Sequence, residues 1–246
     1  EDVARIATGP IWFQLYHYTN ELSQMLIQRA EAVGYTALCI TVDVPVRIPS
    51  ERDRRNRFRR KVGIEFANFV GEQAGLGLVF GTPEASLWER PAHIPVTWSD
   101  IHWFRSITKL PIVLKGIMTA EDAKLCVEHG VDGVIVSNHG GRVLDCQAAS
   151  IEALPEVVDA VNGRCEVYMD SGVRRGSDVV KALAHGARAV FIGRPFLWGL
   201  AVNGEAGVKM VLDILREEVD LILAHCGRPT IACVDRSLVG NTKQSC

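Results

Sequence analysis

The run IVSNHGGRVLD, from Ile135 to Asp145, sets His139 between an asparagine and two glycines and places Arg142 three residues further on. An imidazole has the proton affinity of a base near neutral pH. A guanidinium grips a carboxylate through paired N–H donors. Side by side on one turn, they offer a proton acceptor and an anion clamp to the same small acid, although a single histidine at a strand end also has purely structural uses. Lys115 closes the apolar run PIVLK, a position from which lysine is excluded unless paired. It reads either as a structural ion pair with Asp170 or Asp43, or as a fixed cation beside an electron-rich group. Two further turns, DSGVRRG (170–176) and FIGRP (191–195), combine glycines with arginines. Glycine lets backbone N–H groups approach an anion, a helix N-terminus adds positive charge, and arginine forks match phosphate oxygens. Arg174 and Arg194 are the expected charges of a phosphate site, against the plainer reading that glycine-rich turns occur in every α/β barrel.

These residues must be held by regular elements, and short β-branched runs alternate along the chain with helical patterns. The runs at 11–16, 36–43, 111–116, 133–137, 166–170 and 189–193 are expected strands. ELSQMLIQRAEAVG follows Thr19 and Asn20 as possible N-caps. TAEDAKLCVEHG opens at Thr119 with Asp122 three residues on, resembling a capping box, and GSDVVKALAHG offers Ser177 as its cap. A last long helix is expected over about 206–226. Such alternation predicts stacked βα units and a parallel sheet. Gln14, Tyr16, Asp43, Lys115, Ser137, His139, Asp170, Gly193 and Arg194 all fall at C-terminal strand ends, the active-site face of a TIM (β/α)8 barrel. The fold expected is therefore an α/β TIM barrel, a single domain over 1–246 with about six of eight βα units visible. Residues 59–100 break the alternation and are expected to form a lid or insertion loop over the strand ends. ERDRRNRFRRK (51–61), with seven basic residues against two acidic, reads as a solvated helix face.

The bulk composition narrows the partners. A chain of 246 residues, 48% apolar and 23% charged, can bury a sizeable core. A net charge of −2 gives no electrostatic reason to expect nucleic acid or an anionic membrane. No apolar run reaches the roughly 18 residues of a membrane span. The seven cysteines are scattered and never spaced as CxxC, so no metal site and no disulfide framework is signalled. A reducing, cytoplasmic setting is expected, and the C-terminal NTKQSC is not an SKL-type peroxisomal address.

SNHGGRVLD, together with FQLY, TVDVP, NRF, LPIVLKGIMTAEDA, DSGVRRGSDV and FIGRP, resembles the FMN-dependent L-2-hydroxy acid oxidases and dehydrogenases, the family of glycolate oxidase, lactate oxidase, mandelate dehydrogenase and flavocytochrome b2. The resemblance covers nearly the whole chain. It implies that His139 is the active-site base, with Asp43 raising its proton affinity, and that Arg142 binds the substrate carboxylate while Tyr16 hydrogen-bonds the substrate. It further implies that Gln14, Thr41 and Ser137 lie at the flavin ring, with Lys115 stabilising the charge that develops on reduction. Asp170 would meet the ribityl chain and Ser171 would also bind the cofactor; Gly172, Arg174, Gly193 and Arg194 would hold the phosphate. The implied reaction converts a small 2-hydroxy acid to the 2-oxo acid, with electrons passing to FMN and then to oxygen or another acceptor. Hydride and carbanion routes both remain open. A homo-oligomer, a tetramer by family habit, is expected.

Two departures stand against the pattern. Ser50 falls where the family carries a second carboxylate-binding arginine. Loss of one of two charge-assisted bonds costs on the order of 1.5 to 3 kcal/mol, roughly ten- to a hundredfold in affinity. Arg47 or Arg52 are the expected substitutes. Family chains also begin about a hundred residues earlier, so the N-terminal βα units of the barrel are expected to be absent. The competing expectation is a catalytically weak or silent FMN- or phosphate-binding barrel; a Schiff-base aldolase using Lys115 and an FMN-dependent isomerase are the nearest enzymatic rivals.

Overall fold

Trp12–Leu15 (β1) and Ala37–Thr41 (β2) run parallel, Trp12 beside Ala37 and Leu15 beside Ile40. They belong to the first of two compact units, Glu1–Ile112 and Val113–Cys246, in a computed structural model that describes residues 1–45, 51–58, 68 and 94–240. Every residue of β2 is buried, which is why its sequence, ALCIT, is a continuous apolar run rather than an alternation. After the short α1 (Asp2–Ile6) and β1 comes α2 (Asn20–Ala32). Its start is fixed by Thr19, whose hydroxyl accepts the N–H of Leu22 at 3.2 Å. Leu22, Ser23, Leu26, Ile27 and Ala30 form its buried face, the spacing of one helical stripe. α3 (Glu51–Arg55) is a single short turn of helix, and Arg52 on it is exposed. α4 (Trp98–Ile107) opens where the N–H of Thr97 donates to the Asp100 carboxylate at 2.7 Å and buries Ile101 and Phe104. His17 lies buried in the same unit, 3.0 Å from Ser23 Oγ and edge-on to Phe104.

The second unit takes up β3 (Ile112–Ile117), whose first residue closes unit one, then α5 (Ala120–Glu128), β4 (Gly133–Val136), α6 (Ser150–Val161), β5 (Glu166–Met169), α7 (Gly176–Ala184) and α8 (Arg194–His225). β3, β4 and β5 are parallel neighbours: Lys115 pairs with Ile135 and Ile135 with Tyr168. The β3 register shifts between Lys115 and Ile117, with Gly116 at φ 113°. A bulge of this kind re-aims the adjoining side chain. Val134, Val136, Leu154, Val157 and Val161 are essentially inaccessible. Burying each such side chain stabilises by about 1.5–3 kcal/mol.

Several expectations shift in detail. The sixth strand expected at 189–193 is reduced to one parallel bridge, Met169 with Val190, flanked by hydrogen bonds from Met169 N to Ala189 O and from Phe191 N to Met169 O. Gly193 and the start of α8 cut the run short. The last helix follows a break at Asn203 and Gly204 and runs to His225, close to the expected span, and a first arm that starts at Arg194 precedes it within α8. Its two arms fold back so closely that a Cβ on Gly199 or Gly207 would overlap the other's carbonyl group. Ser177 does not cap α7; the Asp178 carboxylate does, accepting the N–H groups of Arg174 and Arg175 at 2.9 Å each. Thr119 caps α5 as expected, its hydroxyl taking the Asp122 N–H at 3.2 Å. Apart from residue 68 and residues 94–100, the stretch expected as a lid lies outside the described residues, as do Arg47 and Ser50.

Candidate active site

Ser137 and Asp170 are the residues that immediately follow β4 and β5, and the pairing of Val136 with Met169 makes them neighbours. Lys115 reaches them from β3. Its ammonium lies 3.1 Å from Asp170 Oδ2 and donates to Ser137 Oγ at 2.9 Å. The carboxylate of Asp170 is one of the two partners that the sequence offers it. The Lys115 side chain is 12% exposed and that of Asp170 17%, so the pair is shielded from water on most sides. Ser137 is fully buried.

The loop after β4 is held from several directions. His139 N–H donates to Ser137 Oγ at 3.1 Å, Gly141 N–H to the Asn138 side chain at 3.1 Å, and the Asn138 amide to Ala148 O at 3.1 Å. His139, Gly140 and Gly141 all have left-handed backbones, with φ of 56°, 70° and 68°. For histidine that is an uncommon conformation, one that persists only where the surroundings over-determine it. Arg142 lies exposed on the same loop.

On the next turn Ser171 (φ 72°) and Gly172 (φ 78°) are also left-handed. Gly172 has open space where a Cβ would stand, and so has Gly193, the N-cap of α8, at which no side chain caps the helix. Open glycines, a helix start without a side-chain cap, and Arg174 and Arg194 on these two turns are the donor chemistry that a phosphate takes. Arg174 lies with its guanidinium 5.0 Å above the Trp198 ring. Arg194 donates to Gly140 O at 2.8 Å, which ties the start of α8 to the His139 loop. The N-terminus of α7, by contrast, is committed to carboxylates: Asp178 as above, and Glu218, which accepts from Gly176 N–H at 2.7 Å and pairs with Arg175 at 2.8 Å.

In unit one, Gln14 donates to Thr41 Oγ1 at 2.8 Å across β1 and β2, while Tyr16 and Asp43 follow the ends of those strands and are half-buried. Unit two thus brings together Lys115, Ser137, His139, Asp170, Ser171 and Arg194 in one hydrogen-bonded group. Trp198, Asp178, Glu218 and Asn138 are supports that the sequence did not single out. Asn138 and Asp178 belonged to quoted motifs; Trp198 and Glu218 act through contacts invisible to local pattern.

Among the described residues no helix is long and apolar enough to cross a membrane. Residues 1–241 match the family model described as FMN-dependent dehydrogenase. The chain is 47% identical to an L-lactate oxidase of Nostoc sp. over 232 residues, 93% of this chain and 63% of that protein. It is 48% identical to 2-hydroxyacid oxidase 2 of Homo sapiens over 241 residues, 97% of this chain and 66% of that one. A soluble mutant of the membrane-associated (S)-mandelate dehydrogenase from Pseudomonas putida superposes with a TM-score of 0.85 at 40% identity, over 96% of this chain and 66% of that chain. The chain therefore spans about two-thirds of the length of the relatives it matches. The α/β elements are those of their TIM barrel, and the chain belongs to the FMN-dependent dehydrogenase family.

Proposed function

We propose that this chain carries the FMN-binding and catalytic residues of an oxidoreductase that converts a small L-2-hydroxy acid to its 2-oxo acid, passing electrons to oxygen or another acceptor. The observation that carries the reading is the shielded Lys115 ammonium, paired with Asp170 and one serine hydroxyl away from the backbone of His139. Bound FMN would supply the two-electron acceptor.

The protein's part is binding, orientation and proton handling. His139 accepts a proton from the substrate at an imidazole nitrogen, in a loop that fixes where the ring can go. Arg142 grips the substrate carboxylate, its exposure leaving its donors accessible from solvent. Lys115 provides a fixed positive charge in a poorly hydrated place, where it counts for more than in water. Gly172, Gly193, Arg174 and Arg194 hold the phosphate, and Asp170 and Ser171 adjoin the ribityl chain. Gln14, Thr41 and Ser137 contact the flavin, and Tyr16 and Asp43 serve the substrate and the base, roles supported in unit one by placement at the C-terminal ends of β1 and β2. A homo-oligomer and a cytoplasmic setting complete the proposal.

The test is an absorbance spectrum of the purified protein supplied with FMN. Glycolate, L-lactate and L-mandelate are added under nitrogen and then in air. Bleaching of the flavin band by at least one of them is the expected result. A flavin that binds yet stays oxidised under all three would sink the reading.

A further inference from the structure

His139 (φ 56°) and Ser171 (φ 72°) are non-glycine residues in the left-handed region, and a hydrogen bond joins their two turns. The N–H of Gly140, next to His139, donates to Ser171 Oγ at 2.8 Å. The same hydroxyl donates to Asp170 Oδ1 at 2.7 Å. Asp170 Oδ2 meets the Lys115 ammonium, which also donates to Ser137 Oγ, and Ser137 Oγ accepts the N–H of His139. The path closes on itself: from one ammonium, two serine arms reach two consecutive amides of the loop that carries the imidazole.

We infer that Ser171 is a positioning residue that locks the His139 loop to the Lys115–Asp170 pair, so that base and fixed cation keep one geometry. The inference rests on the proposed function for its reading of His139 as the base. Glycine would occupy a backbone at φ 72° without steric cost. What glycine lacks is the hydroxyl, and here that hydroxyl has both its donor and an acceptor position engaged between two loops. Without the Ser171 arm, the loop keeps Ser137 at the end of β4, its own strand, and the Arg194 guanidinium of α8 on Gly140 O; the Ser171 arm adds an attachment from the end of β5 and ties Gly140 to the Lys115–Asp170 pair.

Two substitutions separate this role from simple stability. Ser171→Gly removes the hydroxyl and relieves the backbone, whereas Ser171→Ala removes the hydroxyl and keeps the left-handed strain. The loop should loosen equally in both. By amide hydrogen exchange, Gly140 N–H is expected to exchange about tenfold faster in each variant. In rapid-mixing experiments on the FMN-loaded protein, the flavin reduction rate at saturating 2-hydroxy acid should fall about ten- to a hundredfold, with the substrate dissociation constant changed by no more than about threefold. Ser171→Gly should melt no lower than the wild type. Unchanged Gly140 exchange in Ser171→Gly would overturn the inference, as would a rate loss confined to Ser171→Ala and tracking its melting temperature. If the wild type is not reduced by any 2-hydroxy acid, the proposed function fails separately, and the exchange rates still decide whether Ser171 holds the loop.

Discussion

Lys115 and Asp170 meet at 3.1 Å from strands that are not adjacent, β3 and the end of β5, with β4 between them and its Ser137 hydroxyl beneath the ammonium. Each charge is therefore kept by the other. Removing one partner of a shielded pair strands the remaining charge, which costs more than the pair contributes. Lys115→Met is expected to lower the stability of the protein by about 2–4 kcal/mol, somewhat under the range for fully buried pairs because both side chains keep a little exposure. The double variant Lys115→Met with Asp170→Asn should recover more than half of that loss. Urea unfolding of the three proteins checks this, and a double variant as unstable as Lys115→Met alone would mean that the ammonium acts through something other than Asp170.

Glycine at 176 is required by packing. A Cβ there would stand 2.5 Å from Glu218 Cβ and 2.6 Å from Val219 N, where α7 meets the second arm of α8. The obstacle is largely backbone, so relief requires moving a helix. Gly176→Ala is expected to cost about 3 kcal/mol and to weaken the Gly176 N–H bond to Glu218. Gly9→Ala, with nothing near its Cβ, should stay within about 0.5 kcal/mol of the wild type. Paired thermal melts give the comparison.

What the sequence discloses of this site is what local pattern can encode. β4 is legible because GVIV is a continuous apolar run stopped by a polar turn, and Lys115 stands out because lysine does not belong in PIVLK. The cap of α7 is misread for a local reason too: Ser177 lies one residue inside the helix, while the longer Asp178 carboxylate reaches back to two N–H groups. α6 goes unremarked because Pro155 interrupts its pattern. The contacts that fix geometry are of another kind. Glu218 lies 42 residues from Gly176 and Arg194 lies 54 from Gly140, and no periodicity connects them. Residue types announce the chemistry, whereas the pairing that locks the His139 loop emerges only when strand ends become neighbours.

Trp198 is predicted to tune phosphate affinity without touching phosphate. Its ring lies under the Arg174 guanidinium at 5.0 Å, and a cation over an indole face at a half-exposed site contributes about 0.5–1 kcal/mol. Trp198→Ala frees the arginine to sample other rotamers, so FMN should bind about two- to fivefold more weakly, with riboflavin binding unaffected. Fluorescence titration with both ligands distinguishes the two. An equal loss for riboflavin would place the effect at the ring end of the flavin instead.

Two thiols, the buried Cys126 and the part-buried Cys165, contribute to the loss of stability at alkaline pH. Burial pushes Cys126 from an ordinary value near 9 up to about 12, with the neighbouring Cys165 adding to the effect. Burial likewise raises Cys165 to about 11, against an opposing pull from Arg164. Below pH 9 both thiols are protonated whether the chain is folded or not, and their contribution to stability is complete. Above it the unfolded chain releases those protons first, so the contribution is lost as pH rises from about 9 towards 12. Each thiol steepens the decline by at most about 1.4 kcal/mol per pH unit. Replacing Cys126 with alanine should lower stability at pH 7 through the cavity it leaves, yet flatten the slope between pH 9 and 11. Urea midpoints across that range give both numbers. In the native wild type, iodoacetamide at pH 8 should modify the exposed Cys146 and Cys226 and spare Cys126; rapid labelling of Cys126 would show that α5 opens far more readily than its packing implies.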